Sequence, residues 1–86
     1  MAVKILIPSL LRKYSGDQEA VEVDGGTVRE CIDILKGRYP ELERWLYKNG
    51  KIATYVHIFV NKRKSCGEDA IKDGDEIKIL MATGGG

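Results

Sequence analysis

A single helix, closed at both ends by its own sequence, is the firmest landmark in this chain. Thr27-Val28-Arg29-Glu30 is a capping box, in which the Thr27 hydroxyl and the Glu30 carboxylate each satisfy an orphan backbone N–H of the first turn. Val28, Cys31, Ile32 and Leu35 follow at i, i+3, i+4 and i+7 and make one apolar stripe. Pro40 cannot continue the helix and turns Tyr39 away from helical angles, so the helix is expected to stop near Arg38. On either side the period changes to two. Val3, Ile5 and Ile7 alternate with Lys4 and Leu6 and run into Pro8, and residues Ala20 to Asp24 alternate again. Ser15-Gly16-Asp17 lies between them and Gly25-Gly26 ends the pattern, which predicts an opening β-hairpin with a loose connection.

Beyond the helix, Leu42, Trp45 and Leu46 repeat a shorter i, i+3, i+4 pattern, which predicts another helical turn or two before Asn49-Gly50. Val56 to Val60 is a β-branched and aromatic run and reads as a strand. Asn61 to Gly67 is a polar turn region, Asp73-Gly74-Asp75 a tight turn, and Glu76 to Leu80 the last strand. The order β-β-α-β-β, with a small second helix in the crossover, places the chain in the α+β class. Residues 1–81 read as one domain and residues 82–86 as a glycine-rich tail.

Size and charge narrow the function. A chain of 86 residues buries only about 60–65% of the surface that its unfolded form exposes, which leaves little material for a deep cleft. The net charge is +1 with both signs spread along the chain, so nothing calls for nucleic acid or a membrane surface as partner. No apolar run is long enough to span a bilayer, and the N-terminus lacks the basic and apolar regions of a signal peptide, so a cytoplasmic location is expected. Cys31 and Cys66 form no C-x-x-C pair and cannot build a disulfide framework, which agrees with that location.

Single residues offer little chemistry. His57 is the only histidine, so it has no partner for a metal site or a catalytic pair, and it reads as a strand surface residue. Lys62-Arg63-Lys64 has no aromatic among its charges to stack a base and reads as a solvated turn. Cys31 belongs to the apolar stripe, Cys66 is an incidental loop thiol, and Trp45 is expected in the core or as a crossover anchor. One surface does stand out. If Val56, Ile58 and Val60 face the helix, the same alternation puts Leu6, Phe59 and Leu80 together on the open face of the sheet, beside Lys4 and Lys78. An apolar patch with basic neighbours marks a protein-binding surface, whereas a register slip of one residue would return those side chains to the core.

Three features in register resemble one family: Val60-Asn61 at the end of a strand, Ile71-Lys72-Asp73-Gly74-Asp75-Glu76-Ile77, and the closing Gly85-Gly86. Small sulfur carriers of the ubiquitin-like β-grasp fold look like this. They include the molybdopterin synthase small subunit, the thiamine-biosynthesis carrier and relatives that feed cysteine synthesis. The spacing from Asp73 to the end is similar to the molybdopterin type, and the Leu42 to Gly50 segment makes the chain longer than the thiamine type. Met81-Ala82-Thr83-Gly84 departs from the proline and Val-Ala that the family often carries there.

The resemblance implies a β-grasp fold, with a mixed sheet of four to five strands packed on one main helix, and a protein co-substrate rather than an enzyme. The chemistry would sit at the carboxylate of Gly86. An E1-like adenylating enzyme joins it to AMP using ATP, sulfur replaces AMP to give a thiocarboxylate, and a sulfur-accepting synthase subunit takes the sulfur. The carrier itself is expected to bind no cofactor or metal. Gly85 and Gly86 supply reach and access, because a residue without Cβ threads a narrow site. The residues expected to meet the partner are Leu6, Phe59, Leu80, Lys78 and Gly84. Two other readings stand beside this one: a ubiquitin-like modifier joined to lysines through Gly86, and a binding module whose tail is idle.

Overall fold

A computed structural model describes residues 2–65 and 67–82. In chain order the elements are β1 (Val3–Leu6), a 3-10 helix (Ser9–Tyr14), β2 (Ala20–Val23), α1 (Val28–Arg38), α2 (Glu41–Leu46), β3 (Tyr47–Lys48), β4 (Lys51–Ile52), β5 (Val56–Val60), β6 (Arg63–Lys64) and β7 (Glu76–Met81). Five strands form one sheet in the order β2-β1-β7-β5-β6, and β3 pairs with β4 as a separate hairpin. β1 is antiparallel to β2 and parallel to β7, with Ile5 opposite both Val21 and Ile77. β5 runs antiparallel to β7, with Ile58 opposite Ile79. The last strand therefore lies at the centre of a mixed sheet, as the β-grasp expectation requires.

The helix forms where its sequence closes it. The Glu30 N–H donates to Thr27 Oγ1 at 3.1 Å, and the Glu30 carboxylate accepts the Gly26 N–H at 2.8 Å. At the other end Tyr39 leaves the helical region before Pro40. Val28, Cys31, Ile32 and Leu35 are all within 1% of full burial and meet Val3, Ile5, Ile77 and Ile79 from the sheet. Fully burying one such aliphatic side chain is worth about 1.5–3 kcal/mol, so this helix-on-sheet layer contributes a large stabilising term. Gly25 is the point of closest approach, because a Cβ there would stand 2.9 Å from Cys31 Sγ and 3.0 Å from its backbone nitrogen.

The structure departs from the expectations in three places and decides between two alternatives in a fourth. The connection between β1 and β2 is not loose: its 3-10 helix buries Leu11, and Ser15 is fully buried with its hydroxyl donating toward the carbonyls of Arg12 and Gln18. Asn49-Gly50 does more than end a helix. Both residues have positive φ, which turns Tyr47–Lys48 back onto Lys51–Ile52 as a two-residue hairpin. Trp45 lies outside the core, 40% exposed, and stacks on Tyr14 with ring centroids 5.8 Å apart, so it anchors the crossover against the 3-10 helix. Ala82, grouped with the tail on sequence, still donates its N–H to the Tyr55 carbonyl at 2.8 Å. Cys31, by contrast, is core as expected.

Candidate functional site

The open face of the sheet follows from the central position of β7. A period of two sends Ile77 and Ile79 into the core and leaves Glu76, Lys78 and Leu80 outside. The register then fixes their neighbours: Leu6 on β1 and Phe59 on β5 both lie opposite Lys78, and His57 lies opposite Leu80. Leu6, Phe59 and Leu80 meet Lys62, Glu76 and Lys78 around one shallow depression of about 240 Å3. The structure thus brings together the four strand residues assigned to partner contact, Leu6, Phe59, Lys78 and Leu80. Lys4 stands one step away, opposite Glu76. Gly84, Gly85 and Gly86 lie outside the described residues.

The depression keeps its shape through a polar clasp at the start of β7. Asn61 Nδ2 donates to the Asp75 carboxylate at 2.9 Å, and Asn61 Oδ1 accepts the Glu76 N–H at 3.0 Å. The Asp75 carboxylate also takes the Lys72 N–H at 2.8 Å. These bonds, the Lys72 N–H first and Asn61 second, hold the Asp75 carboxyl below its ordinary value. Gly74 has φ +87°, a turn geometry open to glycine, and its N–H donates to the Ala2 carbonyl. Asp73 accepts the Ala2 N–H. The Val-Asn and Asp-Gly-Asp-Glu motifs are therefore two halves of one structure that fixes the register of β7 against β5 and β1.

Sequence reasoning missed Lys62 and Glu76 as members of the depression. Asn61 and Lys62 both have left-handed backbones, with φ of 49° and 73°, and form the two-residue turn between β5 and β6. That turn brings Lys62 to the rim. An Asn at the first position was the available signal for it. Two titrating side chains elsewhere are explained by packing. Burial, then the hydrogen bond to Asp33, push the Tyr47 phenol up to about 12. Burial raises the Cys31 thiol. Among the described residues no group of three or more His, Cys, Asp or Glu side chains could hold a metal ion, and no helix is long and apolar enough to cross a membrane.

The described residues thus present a shallow, partly apolar depression with basic neighbours on the open face of the last strand. Known proteins resemble this chain along its whole length. The ThiS family model matches residues 5–86. The sulfur carrier protein CysO of Mycobacterium tuberculosis is 37% identical, with the whole of each chain covered. A chain in the crystal structure of the Amycolatopsis orientalis BexX/CysO complex is 35% identical, covers 99% of this chain and 100% of its own, and superposes with a TM-score of 0.89. The small archaeal modifier protein 1 of Methanosarcina acetivorans is 25% identical, with 99% and 96% covered and a TM-score of 0.88.

Proposed function

The chain belongs to the ThiS family and is a ubiquitin-like sulfur carrier, and from that premise we propose that its working group is the carboxylate of Gly86. Carriers of this family are protein co-substrates rather than catalysts, and they work with E1-like adenylating enzymes and sulfur-accepting partners. A carboxylate is a poor acyl donor because oxide would have to leave. In the proposed sequence it attacks the α-phosphate of ATP, pyrophosphate departs, and an acyl-adenylate forms. A sulfide donor then displaces AMP, which carries away one carboxylate oxygen and leaves a thiocarboxylate. The thiocarboxylate sulfur passes to an acceptor, and water restores the carboxylate.

The observation that carries this reading is the reach of the family match to residue 86, which makes Gly84-Gly85-Gly86 part of the shared pattern. The depression lined by Leu6, Phe59, Lys78 and Leu80 supports it as the surface that a partner recognises. For the destination of the sulfur we propose cysteine synthesis rather than the molybdopterin branch that the tail spacing suggests. The relatives at 35–37% identity are CysO proteins.

The test supplies ATP, a cognate adenylating enzyme and sulfide. The expected product is heavier by the exchange of one oxygen for sulfur, with the change located at Gly86. Deleting Gly86 abolishes the gain and leaves binding intact. Phe59→Asp weakens binding, because it puts an uncompensated charge into a contact that must lose its water. Sulfur acquired by the deletion variant, or found on Cys66 as a persulfide, would overturn the reading. The modifier alternative gains weight from the archaeal likeness. High-mass conjugates that survive reductant on a denaturing gel would favour it.

A further inference from the structure

The sheet carries a second feature beside the tail root, on the edge of β7 that β1 leaves uncovered. At the two ends of the β5–β7 ladder the Asn61 N–H donates to the Glu76 carbonyl and the Ala82 N–H to the Tyr55 carbonyl. Even-numbered residues of β7 therefore turn their amides and carbonyls toward β5. Odd-numbered residues turn theirs the other way, as the Lys4 N–H donating to the Asp75 carbonyl shows. β1 covers that side only as far as Leu6, opposite Lys78. Pro8 has no N–H to extend the ladder, and the 3-10 helix carries the chain away.

The main chain of Met81 is thus paired to neither β1 nor any other described segment on this side. It faces a groove of about 480 Å3 whose far wall is Pro8 and Leu10. Leu10 is 60% exposed, the most exposed large apolar side chain among the described residues. The groove shares Leu6, Lys78 and Leu80 with the depression on the sheet face, so the two surfaces are continuous around β7. A free strand edge beside an apolar wall is the geometry of strand addition.

We propose that this groove receives an extended segment of the adenylating enzyme, which pairs with the Met81 main chain while Leu10 covers it. The proposal rests on the carrier reading above. A protein that encloses the four residues after Ala82 has to lie alongside Met81, and main-chain pairing there aligns the tail whatever its side chains. Arg12, Glu19 and Lys78 border the groove, and Glu19 lies 3.9 Å from Arg12, which leaves Lys78 as the lining cation without an ion pair among the described residues, open to an acidic side chain on the incoming segment.

The chain is short enough for total synthesis, which allows N-methylation of Met81. That change removes the groove-facing N–H and leaves the β5 ladder and every side chain in place. Adenylation by the cognate enzyme should show KM for the carrier raised about five- to tenfold, the worth of one main-chain hydrogen bond, with kcat kept. Leu10→Ser, at an exposed position outside the fold's core, should raise KM in the same direction. Hydrogen exchange at the Met81 amide should slow on complex formation with the enzyme and be unprotected in the free carrier. Wild-type KM for both variants, with an unprotected Met81 amide in the complex, overturns the proposal. Protection of that amide in the free carrier with concentration-dependent self-association assigns the groove to a second copy and also overturns it. An unmodified carrier that the enzyme does not adenylate sinks the carrier reading itself.

Discussion

Asn61→Ala tests the clasp that sets β7 in place. The substitution removes two side-chain hydrogen bonds, one to Asp75 at 2.9 Å and one from the Glu76 N–H at 3.0 Å. Both lie at an exposed site, so each is worth about 0.5–1 kcal/mol. It also puts alanine at φ 49°, where the left-handed region costs a residue with Cβ about 1 kcal/mol and asparagine less. The expected loss is about 2–3 kcal/mol, a large share of the roughly 5–10 kcal/mol that holds a domain of this size. Thermal unfolding should fall by about 8–20 °C, and urea unfolding should show a lower midpoint with an unchanged slope. Asn61→Gly separates the two causes, because it loses the bonds and keeps the backbone ease, and should cost about 1–2 kcal/mol. The neighbouring Lys62→Gly relieves the φ of 73° and should be neutral or stabilising by up to about 1 kcal/mol. An Asn61→Ala protein within about 0.5 kcal/mol of wild type, or Gly as damaging as Ala at position 61, would refute the reasoning.

Three further outcomes follow from the structure. Thr27→Ala removes the acceptor of the Glu30 N–H and should cost about 0.5–2 kcal/mol in urea unfolding, with sulfur transfer intact in the folded protein. Tyr47, with its folded pKa raised to about 12, contributes stability that is complete below its unfolded value of about 10 and is lost as pH rises through 12. In a spectrophotometric titration one of the four tyrosines should ionise late, and Asp33→Asn should bring it earlier. Asp75 has the opposite sign: its folded pKa is lowered, so its contribution is present above the ordinary carboxylate range and is lost as pH falls through the folded value. Asp75→Asn should flatten the acid side of the stability profile.

What was legible in the sequence had local causes. The ends of α1 could be placed because Thr27, Glu30 and Pro40 act within four residues of their effects. The open-face patch could be placed because strand parity is binary: once Ile77 and Ile79 are inside, Lys78 and Leu80 are outside. The 3-10 helix escaped because Leu10 and Leu11 are adjacent rather than periodic. Only packing decides that Leu11 is buried and Leu10 exposed. Of the two places expected for Trp45, core or crossover anchor, packing again makes the choice. Its i, i+3, i+4 company predicts burial, but Leu42 and Leu46 take the inward face and Tyr14 takes the indole. Lys62 is exposed in a turn, as read, but its place at the rim was not legible, because that depends on a left-handed backbone that lysine rarely adopts.

The proposed function ties the clasp, the patch and the tail together through the register of β7. A slip of one residue against β5 would turn Lys78 and Leu80 toward the core and Ile79 to solvent. It would also advance the tail by about 3.3 Å relative to the docking face. Asn61 and Asp75 forbid that slip at the start of the strand, and the Ala82 N–H to Tyr55 bond forbids it at the end. From Ala82 the four remaining residues reach at most about 14 Å. Under the proposed function, a partner seated on Leu6, Phe59 and Leu80 would meet the Gly86 carboxylate within a fixed radius. A carboxylate at a chain end is chemically ordinary, and in the proposed function the fold would make this one specific by fixing where it can be delivered.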